Sequence, residues 1–427
     1  MKDEIIAGIV SAIGGTAAAL RGGADTLSYG TAPQIPEAKP QGIPTLKMPT
    51  ARGWPDGQVP VAAPGLRVSA FARNLEHPRC LFVLPNGDVL VSEALGPSSK
   101  PKTVFDHAMH ATMARAGAVG DSANRISLLR DADGDGVAEI RETFLDGLNH
   151  PFGMALAGDT FYVGNMDSVV AYPYTPGATR ITGPGRTVMT MEGRGHWTRN
   201  LILSPDGTRL YVAVGSLSNI AERGMEVEAG RAAIHEIDLA TGAVRMFASG
   251  LRNPVGMAWD PAGKLWTVVN ERDGLGDETP PDYLTSVTEG GFYGWPYCYW
   301  GQTVDDRVPQ DAAMVARAIQ PDFALGGHTA SLGLCWLPAG ALPGFPAGMA
   351  IGQHGSWNRS KLSGYKLTFV PFVDGRPAGE TRDILTGFLS DDENDSFGRP
   401  VMVQRAEDGS VLLADDVGNV VWRVTGA

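Results

Sequence analysis

The sequence predicts an all-β fold, a six-bladed β-propeller, from a repeat, its turns and its composition. The same pattern recurs six times: a short polar cluster, an apolar segment, a turn and a second apolar segment. The copies begin at His77-Pro78-Arg79, His150-Pro151-Phe152, His196-Trp197-Thr198-Arg199, Arg252-Asn253-Pro254, His328-Thr329-Ala330-Ser331 and Gly398-Arg399-Pro400. Because a propeller blade is one repeated sheet unit, six copies predict six blades.

Four of the copies show a hairpin turn most clearly, at Asn86-Gly87, Asp206-Gly207, Ala262-Gly263 and Asp408-Gly409. These pairs supply the positive φ that a tight hairpin turn requires, so each copy predicts two antiparallel strands. In a propeller the first strand of every blade lines one central channel. We therefore expect functional residues at equivalent repeat starts.

Length and composition are consistent with one large domain. The 427 residues include 55 Gly, 30 Pro and 43% hydrophobic residues, so the chain can bury a core and should contain little helix. Apolar alternation begins near Leu66, which places a propeller domain at 65–427 behind an N-terminal segment, 1–64.

The N-terminal segment has two parts. Residues 5–20 are apolar and resemble the core of a signal peptide, but Asp3 and Glu4 oppose the positive charge that normally precedes it. A signal, a non-cleaved anchor with membrane association, a mis-assigned start and a short buried helix all remain open. Residues 21–64 are rich in Gly, Pro and Ala and predict either an extended lead-in packed on the propeller or a linker.

Charge and cysteine content exclude some classes of function. A net charge of −12 argues against nucleic acid and favours a small neutral or cationic ligand. The three cysteines are far apart and form no C-x-x-C pair, so the sequence has neither a zinc-knuckle spacing nor a c-type haem attachment motif.

Two long segments interrupt the strand pattern. Residues 94–123 predict a functional loop or a short helix, on which His107 and His110 would share a solvated face. Residues 273–302 contain an aromatic run at 292–300. Its rings would fill the core, line a cleft, or do both.

An acidic motif at 131–139 predicts a calcium loop between two strands. Asp131, Asp133 and Asp135 alternate, Val137 is at the seventh position, and Glu139 is at the ninth. Carboxylates at this spacing suit Ca²⁺, and a glycine at the sixth position permits the sharp turn. The ion would be structural, and an unoccupied acidic turn is the alternative.

Basic side chains cluster at several blade starts and loops. His196 opens the third repeat, where an imidazole can accept a hydroxyl proton, although a structural histidine is the commoner case. The cations are Arg252, Arg359, Lys361 and Arg399. Converging cations are costly without an anion, so they predict a ligand with several carboxylates.

Over residues 65–425 the chain resembles the quinoprotein sugar dehydrogenases, which use pyrroloquinoline quinone (PQQ), and most of all their L-sorbosone dehydrogenase-like branch. The motifs that carry the resemblance are RNPVG, GGFYGWPY, HGSWNR and FGRPV. The resemblance implies PQQ- and calcium-dependent oxidation of a sugar or a sugar-derived aldehyde or alcohol, with the long insertions on the cofactor face.

The resemblance also implies residue roles. His196 would take the substrate hydroxyl proton, and Arg252 would polarise the quinone oxygen beside Asn253. Arg399, with Arg359 or Lys361, would bind the cofactor carboxylates. Backbone carbonyls of the 271–273 loop would hold Ca²⁺, with Arg272 and Asp273 as the candidates.

The resemblance further implies a periplasmic or otherwise exported protein that passes electrons to an external acceptor. Two other functions stay open from the residues alone. One is a calcium-dependent lactonase, which would hold its metal with side-chain carboxylates and amides. The other is a propeller without enzymatic activity that binds a partner at its mouth.

Overall fold

The computed structural model describes residues 28–41, 45–98 and 100–427, which form six antiparallel sheets around a central channel. The first strands of successive sheets contact each other in order, and the sixth contacts the first, so the ring is closed. The prediction of an all-β, six-bladed propeller is confirmed. The expected signal or anchor at residues 1–20 lies outside the described residues.

Blades 1, 2 and 3 are four-stranded sheets whose strands follow chain order from the channel outward. Blade 1 consists of Pro78–Val83, Val89–Glu93, Arg125–Arg130 and Ile140–Leu145. Blade 2 consists of Met154–Ala157, Thr160–Asn165, Ser168–Pro173 and Arg186–Thr190. Blade 3 consists of Leu201–Leu203, Arg209–Val214, Ala233–Asp238 and Val244–Ser249.

Blades 4, 5 and 6 recruit strands from the N-terminal part of the chain. Blade 4 consists of Pro254–Trp259, Leu265–Val269, Pro281–Ser286, Phe323–Gly327 and Tyr29–Gly30. Blade 5 consists of Ser331–Leu337, Gly348–Gln353, Lys366–Val373, Arg382–Thr386 and Val61–Ala62. Blade 6 consists of Pro400–Arg405, Val411–Asp415, Val420–Gly426 and Leu66–Ala72.

The two ends of the propeller chain pair with each other in blade 6. Leu66–Ala72 lies antiparallel to Val420–Gly426, so an N-terminal strand completes the last blade. Repeat counting alone does not reveal this closure, because Leu66–Ala72 precedes the first repeat. The described part of the lead-in also runs along blades 4 and 5, while a domain boundary at residue 65 stays a prediction.

Five further short strands lie outside the blades or at their edges. They are Thr50–Ala51, parallel to Asp395–Ser396, and the small hairpin of Cys298–Tyr299 and Thr303–Val304. Arg376–Pro377 pairs with the end of the third strand of blade 5. No helix in the described ranges is both long enough and apolar enough to cross a bilayer.

The hairpin turns differ in detail from the predicted pattern. In each of the four pairs only the glycine has a positive φ, between 70° and 86°. Its N–H donates to the carbonyl three residues earlier, as Gly87 does to Leu84. This is a type I turn followed by a left-handed glycine, so the loops are longer than two residues.

Glycines in the first strands allow neighbouring blades to approach closely. A Cβ on Gly256 would come within 2.7 Å of the Leu332 carbonyl oxygen, and one on Gly333 within 2.8 Å of the Val403 nitrogen. Both distances are shorter than real Cβ contacts. These positions therefore require glycine for space, and apolar side chains from both neighbouring sheets fill the rest of each interface.

The two predicted insertions have different outcomes. The first contains helix α1, Val104–Arg115, which begins with a capping box between Thr103 and Asp106, so the expected helical excursion is present. The second was placed wrongly, because 273–302 contains a blade 4 strand, Pro281–Ser286. The true insertion follows that strand and includes helix α2, Ala312–Arg317.

Candidate active site

Five residues from blades 3, 4 and 5 meet at one end of the channel, and we call them the His196 cluster. They are His196, Arg252, Asp273, His328 and Asn358. They come from the repeat starts or from loops that follow second strands. Because second strands run antiparallel to first strands, both kinds of segment reach the same end of the propeller.

His196 is held as a neutral base. Its Nδ1 lies 2.8 Å from the Ser216 carbonyl oxygen, which can only accept, so Nδ1 carries the proton and Nε2 presents a lone pair. Within the described residues no group hydrogen bonds to Nε2. Burial, and then the charge of Arg252, lower the pKa of His196 to about 3.

Two buried arginines fix the loop that carries His196. Arg199 Nη1 donates to the His196 carbonyl oxygen at 2.6 Å, and Arg231 Nη2 donates to the same oxygen at 3.1 Å. Both also donate to the Glu192 carbonyl oxygen. Burial, together with the nearby charge of Arg231, lowers the pKa of Arg199 to about 9. This double clamp fixes the backbone on which the imidazole sits.

Arg252 connects three segments of the site. Its Nη1 donates to the Glu271 carbonyl oxygen at 2.7 Å, and its Nε donates to the Asn219 carbonyl oxygen at 3.1 Å. Its Nη2 lies 3.0 Å from Asn219 Oδ1 and 3.9 Å from Asp273 Oδ2. The guanidinium is buried and rigidly placed beside His196.

Asp273 is the acidic member of the cluster. Its Oδ1 accepts from Asn358 Nδ2 at 2.5 Å and lies 3.4 Å from His328 Nδ1. Burial alone would raise the pKa of Asp273, but His328 and Arg252 lower it to about 2. The pKa of His328 is raised despite burial, because Asp273 stabilises its charged form. Asp273 is therefore a carboxylate held between the Arg252 guanidinium and the His328 imidazole.

A second group of polar residues, the Arg399 cluster, joins blades 1, 5 and 6. Arg399 donates to the carbonyl oxygens of His354 at 2.9 Å and Gly355 at 2.8 Å, and its guanidinium lies 5.2 Å from the Tyr365 ring centroid. His354 Nε2 lies 2.9 Å from Asp416 Oδ2, and Arg79 pairs with the same carboxylate. Burial, and then Arg399, lower the pKa of His354 to about 4.

The guanidinium of Arg399 forms no ion pair with any residue of the described ranges. By contrast, Arg359 is buried and pairs with Glu278, and Arg272 is buried and pairs with Asp305. Lys361 is exposed. Of the three arginines, Arg399 is thus the one whose charge no described carboxylate neutralises.

The predicted metal loop at 271–273 is engaged with the protein itself. The Glu271 carbonyl oxygen accepts from Arg252, and the Asp273 carbonyl oxygen accepts from Asn219 and from the Arg272 side chain. The Arg272 carbonyl oxygen accepts no hydrogen bond from a described residue. Of the three carbonyl oxygens, that of Arg272 is therefore the one with both lone pairs free of described donors.

The acidic loop forms the compact shape that its spacing predicts. Carboxylate oxygens of Asp131, Asp133, Asp135 and Glu139 lie within 4.8 Å of one another, between the two outer strands of blade 1. Asp131 accepts from the backbone N–H groups of Gly134 and Gly136, which folds the loop around itself. Val137 lies in the same turn, with its N–H bound to Asp135.

The sequence identified part of the His196 cluster. The sequence predicts His196, Arg252 and Asp273 as site residues, and the structure brings them together. Asn253, also predicted, lies close to His196 across Gly215. The sequence indicates His328 only as the start of the fifth repeat, and Asn358 only as part of the HGSWNR motif. Asn219 lies in the loop after the second strand of blade 3, equivalent to the loops of Asp273 and Asn358, but the repeat pattern did not single it out. Asn253 Oδ1 is buried and has no hydrogen-bond partner within the described residues.

A family model described as TrAA12-like matches residues 60–310, which is more than half of the chain. A PQQ-dependent pyranose dehydrogenase from Coprinopsis cinerea is 25% identical over 344 residues, covering 64% of this chain and 46% of that protein. The chain spans about half the length of the curated relatives it matches, 60% and 46% of the first two.

Solved structures match over most of the chain. The holo PQQ domain of the Coprinopsis cinerea pyranose dehydrogenase has a TM-score of 0.69 at 20% identity, covering 89% of this chain and all of that one. A calcium structure of a Trichoderma reesei carbohydrate-active enzyme of family AA12 has a TM-score of 0.70 at 21% identity, covering 90% and 99%. At these identities, the structural similarity supports the propeller fold alone.

Proposed function

We propose, because this chain belongs to the TrAA12-like family of PQQ-dependent sugar dehydrogenases, that it oxidises a sugar or a sugar-derived aldehyde or alcohol with PQQ and Ca²⁺. The observation that carries the proposal is the free Nε2 lone pair of His196 beside the buried guanidinium of Arg252. A propeller that only binds a partner has no need for a neutral base at this position.

The described residues fit a flat quinone that carries several carboxylates. Arg399 offers a charge that no described carboxylate neutralises, and Asn253 has a buried oxygen to which no described residue hydrogen bonds. We propose that Arg399, Arg252 and Asn253 hold PQQ. Arg359 and Lys361 are weaker candidates, because Glu278 already pairs with Arg359 and Lys361 is exposed.

In the proposed reaction the bound quinone supplies the acceptor for a hydride from the substrate carbon. His196 Nε2 accepts the proton of the substrate hydroxyl, because Nδ1–H is committed to the Ser216 carbonyl oxygen. The charge of Arg252 favours negative charge that develops next to it. The low pKa of His196 keeps the base neutral at neutral pH, and it makes the protonated imidazole release its proton readily.

We propose two separate calcium sites. At the channel, the Arg272 carbonyl oxygen is free to bind a cation, and Asp273 would add a negative charge nearby. At blade 1, the loop of Asp131, Asp133, Asp135, Val137 and Glu139 would hold a structural ion. Electrons would pass to an external acceptor, and we propose that the protein acts in the periplasm or another exported location.

The lactonase alternative is weaker than oxidation at this site. A lactonase of the kind considered would hold its metal with side-chain carboxylates and amides. Of the five residues of the His196 cluster, only Asp273 is a carboxylate, and the Asn358 amide is hydrogen bonded to it, so the cluster does not offer the set of side-chain ligands that such a metal needs. The cationic surroundings instead favour an anionic ligand.

The proposal is tested by titrating the purified protein with PQQ in the presence of Ca²⁺ and following the quinone absorbance. We expect stoichiometric binding by the parent and by Arg186→Met, which removes an exposed arginine of blade 2. Arg399→Met should weaken binding by about 10- to 100-fold, because a charge-assisted contact is lost. Absence of quinone binding to the parent at any calcium concentration would rule the proposal out.

A glycine next to His196 gives a second test. A Cβ on Gly215 would overlap Asn253 Oδ1 and come within 2.6 Å of His196 Cβ. Gly215→Ala should therefore displace one of these side chains and lower turnover by about 10- to 100-fold, since a shift of about 1 Å has effects of this size. The turnover is measured by dye reduction in protein reconstituted with PQQ and Ca²⁺. Gly120→Ala is the control, because its nearest neighbour is a flexible Leu95 methyl at 3.4 Å.

The structural calcium site predicts a loss of metal-dependent stability in Asp133→Ala. Calcium at 100 times Kd should stabilise the parent by about 2.7 kcal/mol, because the folded state alone has the site. The variant should show little of this gain, while Asp121→Ala, an exposed carboxylate outside the loop, should behave like the parent. Thermal unfolding with and without Ca²⁺ decides the point, and an equal gain in Asp133→Ala would contradict the assignment.

A further inference from the structure

An apolar cavity of about 350 Å³ lies against the Arg399 cluster. Arg399, Tyr365 and Trp357 line it on the side of blades 5 and 6. Helix α1 lines it on the other side through Met109 and Met113. The cavity therefore borders Arg399, one of the residues proposed to hold the quinone, and its volume is that of a small-molecule pocket.

Helix α1 is positioned to determine what enters this cavity. Met109 and Met113 are four residues apart, so they lie on the same helix face. Met113 is 38% exposed and therefore lies at the rim of the cavity. Methionine side chains are flexible and adapt to apolar groups of different shapes.

Few polar atoms of the lining are available to a ligand. The Tyr365 hydroxyl donates to the Ser356 carbonyl oxygen at 2.8 Å, and the Ser396 hydroxyl donates to the Gly398 carbonyl oxygen at 2.9 Å. Two donor nitrogens of lining side chains, Arg399 Nη1 and Trp357 Nε1, have no hydrogen bond to a described residue. A fully hydroxylated ring in this cavity would leave most of its hydroxyl groups unpaired, which disfavours binding.

We propose that this cavity binds an apolar substituent of the substrate, so that the preferred substrates are sugar derivatives carrying an alkyl or aryl group. The inference rests on the proposed function, because it assigns the cavity to the substrate of that same site. The sugar hydroxyl would face His196, and the apolar group would lie against Met109, Met113 and Trp357. Each buried methylene is worth about fourfold in affinity, so a phenyl group should have a clear effect.

Two glycosides that differ only in this group test the proposal: phenyl β-D-glucoside and methyl β-D-glucoside. Isothermal titration of the purified protein, before and after addition of PQQ, should show at least about tenfold tighter binding of the phenyl compound. Met113→Asp places a charge at the rim and should bring the ratio close to one. Met246→Asp is the matched control, an exposed methionine on the outer strand of blade 3, and should keep the parent ratio.

Three results would overturn the proposal. They are equal binding of both glycosides by the parent, an unchanged ratio in Met113→Asp, and a loss of PQQ binding in Met113→Asp, which would make the cavity part of the quinone seat. A preference for the phenyl compound, in a protein that reduces the dye with no sugar or sugar derivative at all, would support the cavity assignment while refuting the proposed oxidation. The parent ratio is a test in itself, whatever the stability of the variant.

Discussion

Replacing His196 with alanine should lower sugar-dependent dye reduction by about 10²- to 10⁴-fold, while PQQ binding changes little. The imidazole is the base whose Nε2 faces no described partner, and loss of a general base has effects of this size. The residues proposed to hold PQQ are Arg399, Arg252 and Asn253, so quinone affinity should change little when the imidazole is removed. Turnover and quinone affinity measured on the same preparation separate the two effects.

The control for this prediction is His107→Ala, which removes an exposed histidine of helix α1. It should retain the activity of the parent. If His196→Ala keeps full turnover, the proton acceptor is a different group. His354 would then be the next candidate, because Asp416 orients it at the neighbouring cluster.

Asp305→Ala should destabilise the protein by about 3–5 kcal/mol, the largest stability change we expect from a single substitution at this site. Arg272 and Asp305 form an ion pair in which both side chains are at most 3% exposed. Removal of the carboxylate leaves a guanidinium buried without a counter-ion. Denaturant unfolding measures the change in the free energy of unfolding.

Two further variants test whether burial of the Arg272–Asp305 pair causes this loss of stability. Asp146→Ala breaks an exposed pair with Arg180, whose side chains are 65% and 62% exposed, and should cost at most about 1 kcal/mol. The double variant Arg272→Met, Asp305→Leu should recover most of the loss, because no unpaired charge remains. If Asp305→Ala and Asp146→Ala lowered the free energy of unfolding equally, burial would not be the reason that the Arg272–Asp305 pair matters.

The propeller could be predicted because its repeat is visible locally. Each repeat start precedes a first strand by few residues, as Arg252-Asn253 precedes Pro254–Trp259. The strand Pro281–Ser286 was missed because it begins with proline and lies between loops rich in glycine and aromatic residues. The closing strand Leu66–Ala72 depends on a pairing across the whole chain, which local patterns do not contain.

The site was predictable to the extent that it uses repeat starts. His196 and Arg252 occupy such positions, and the closed ring brings them together. The contacts of Asp273 with His328 and Asn358 join loops 55 and 85 residues away, and no local pattern encodes them. The ion pairs of Arg359 and Arg272 likewise depend on partners that only the fold identifies.

The most direct test of the account is anaerobic mixing of the PQQ-loaded protein with sugars and sugar derivatives while the quinone absorbance is recorded. We predict that at least one of them reduces the bound quinone in a single turnover. In His196→Ala, the same sugar should reduce the bound quinone about 10²- to 10⁴-fold more slowly. The proposed oxidation would be contradicted if no sugar reduced the bound quinone, or if a sugar reduced the quinone of His196→Ala at the parent rate.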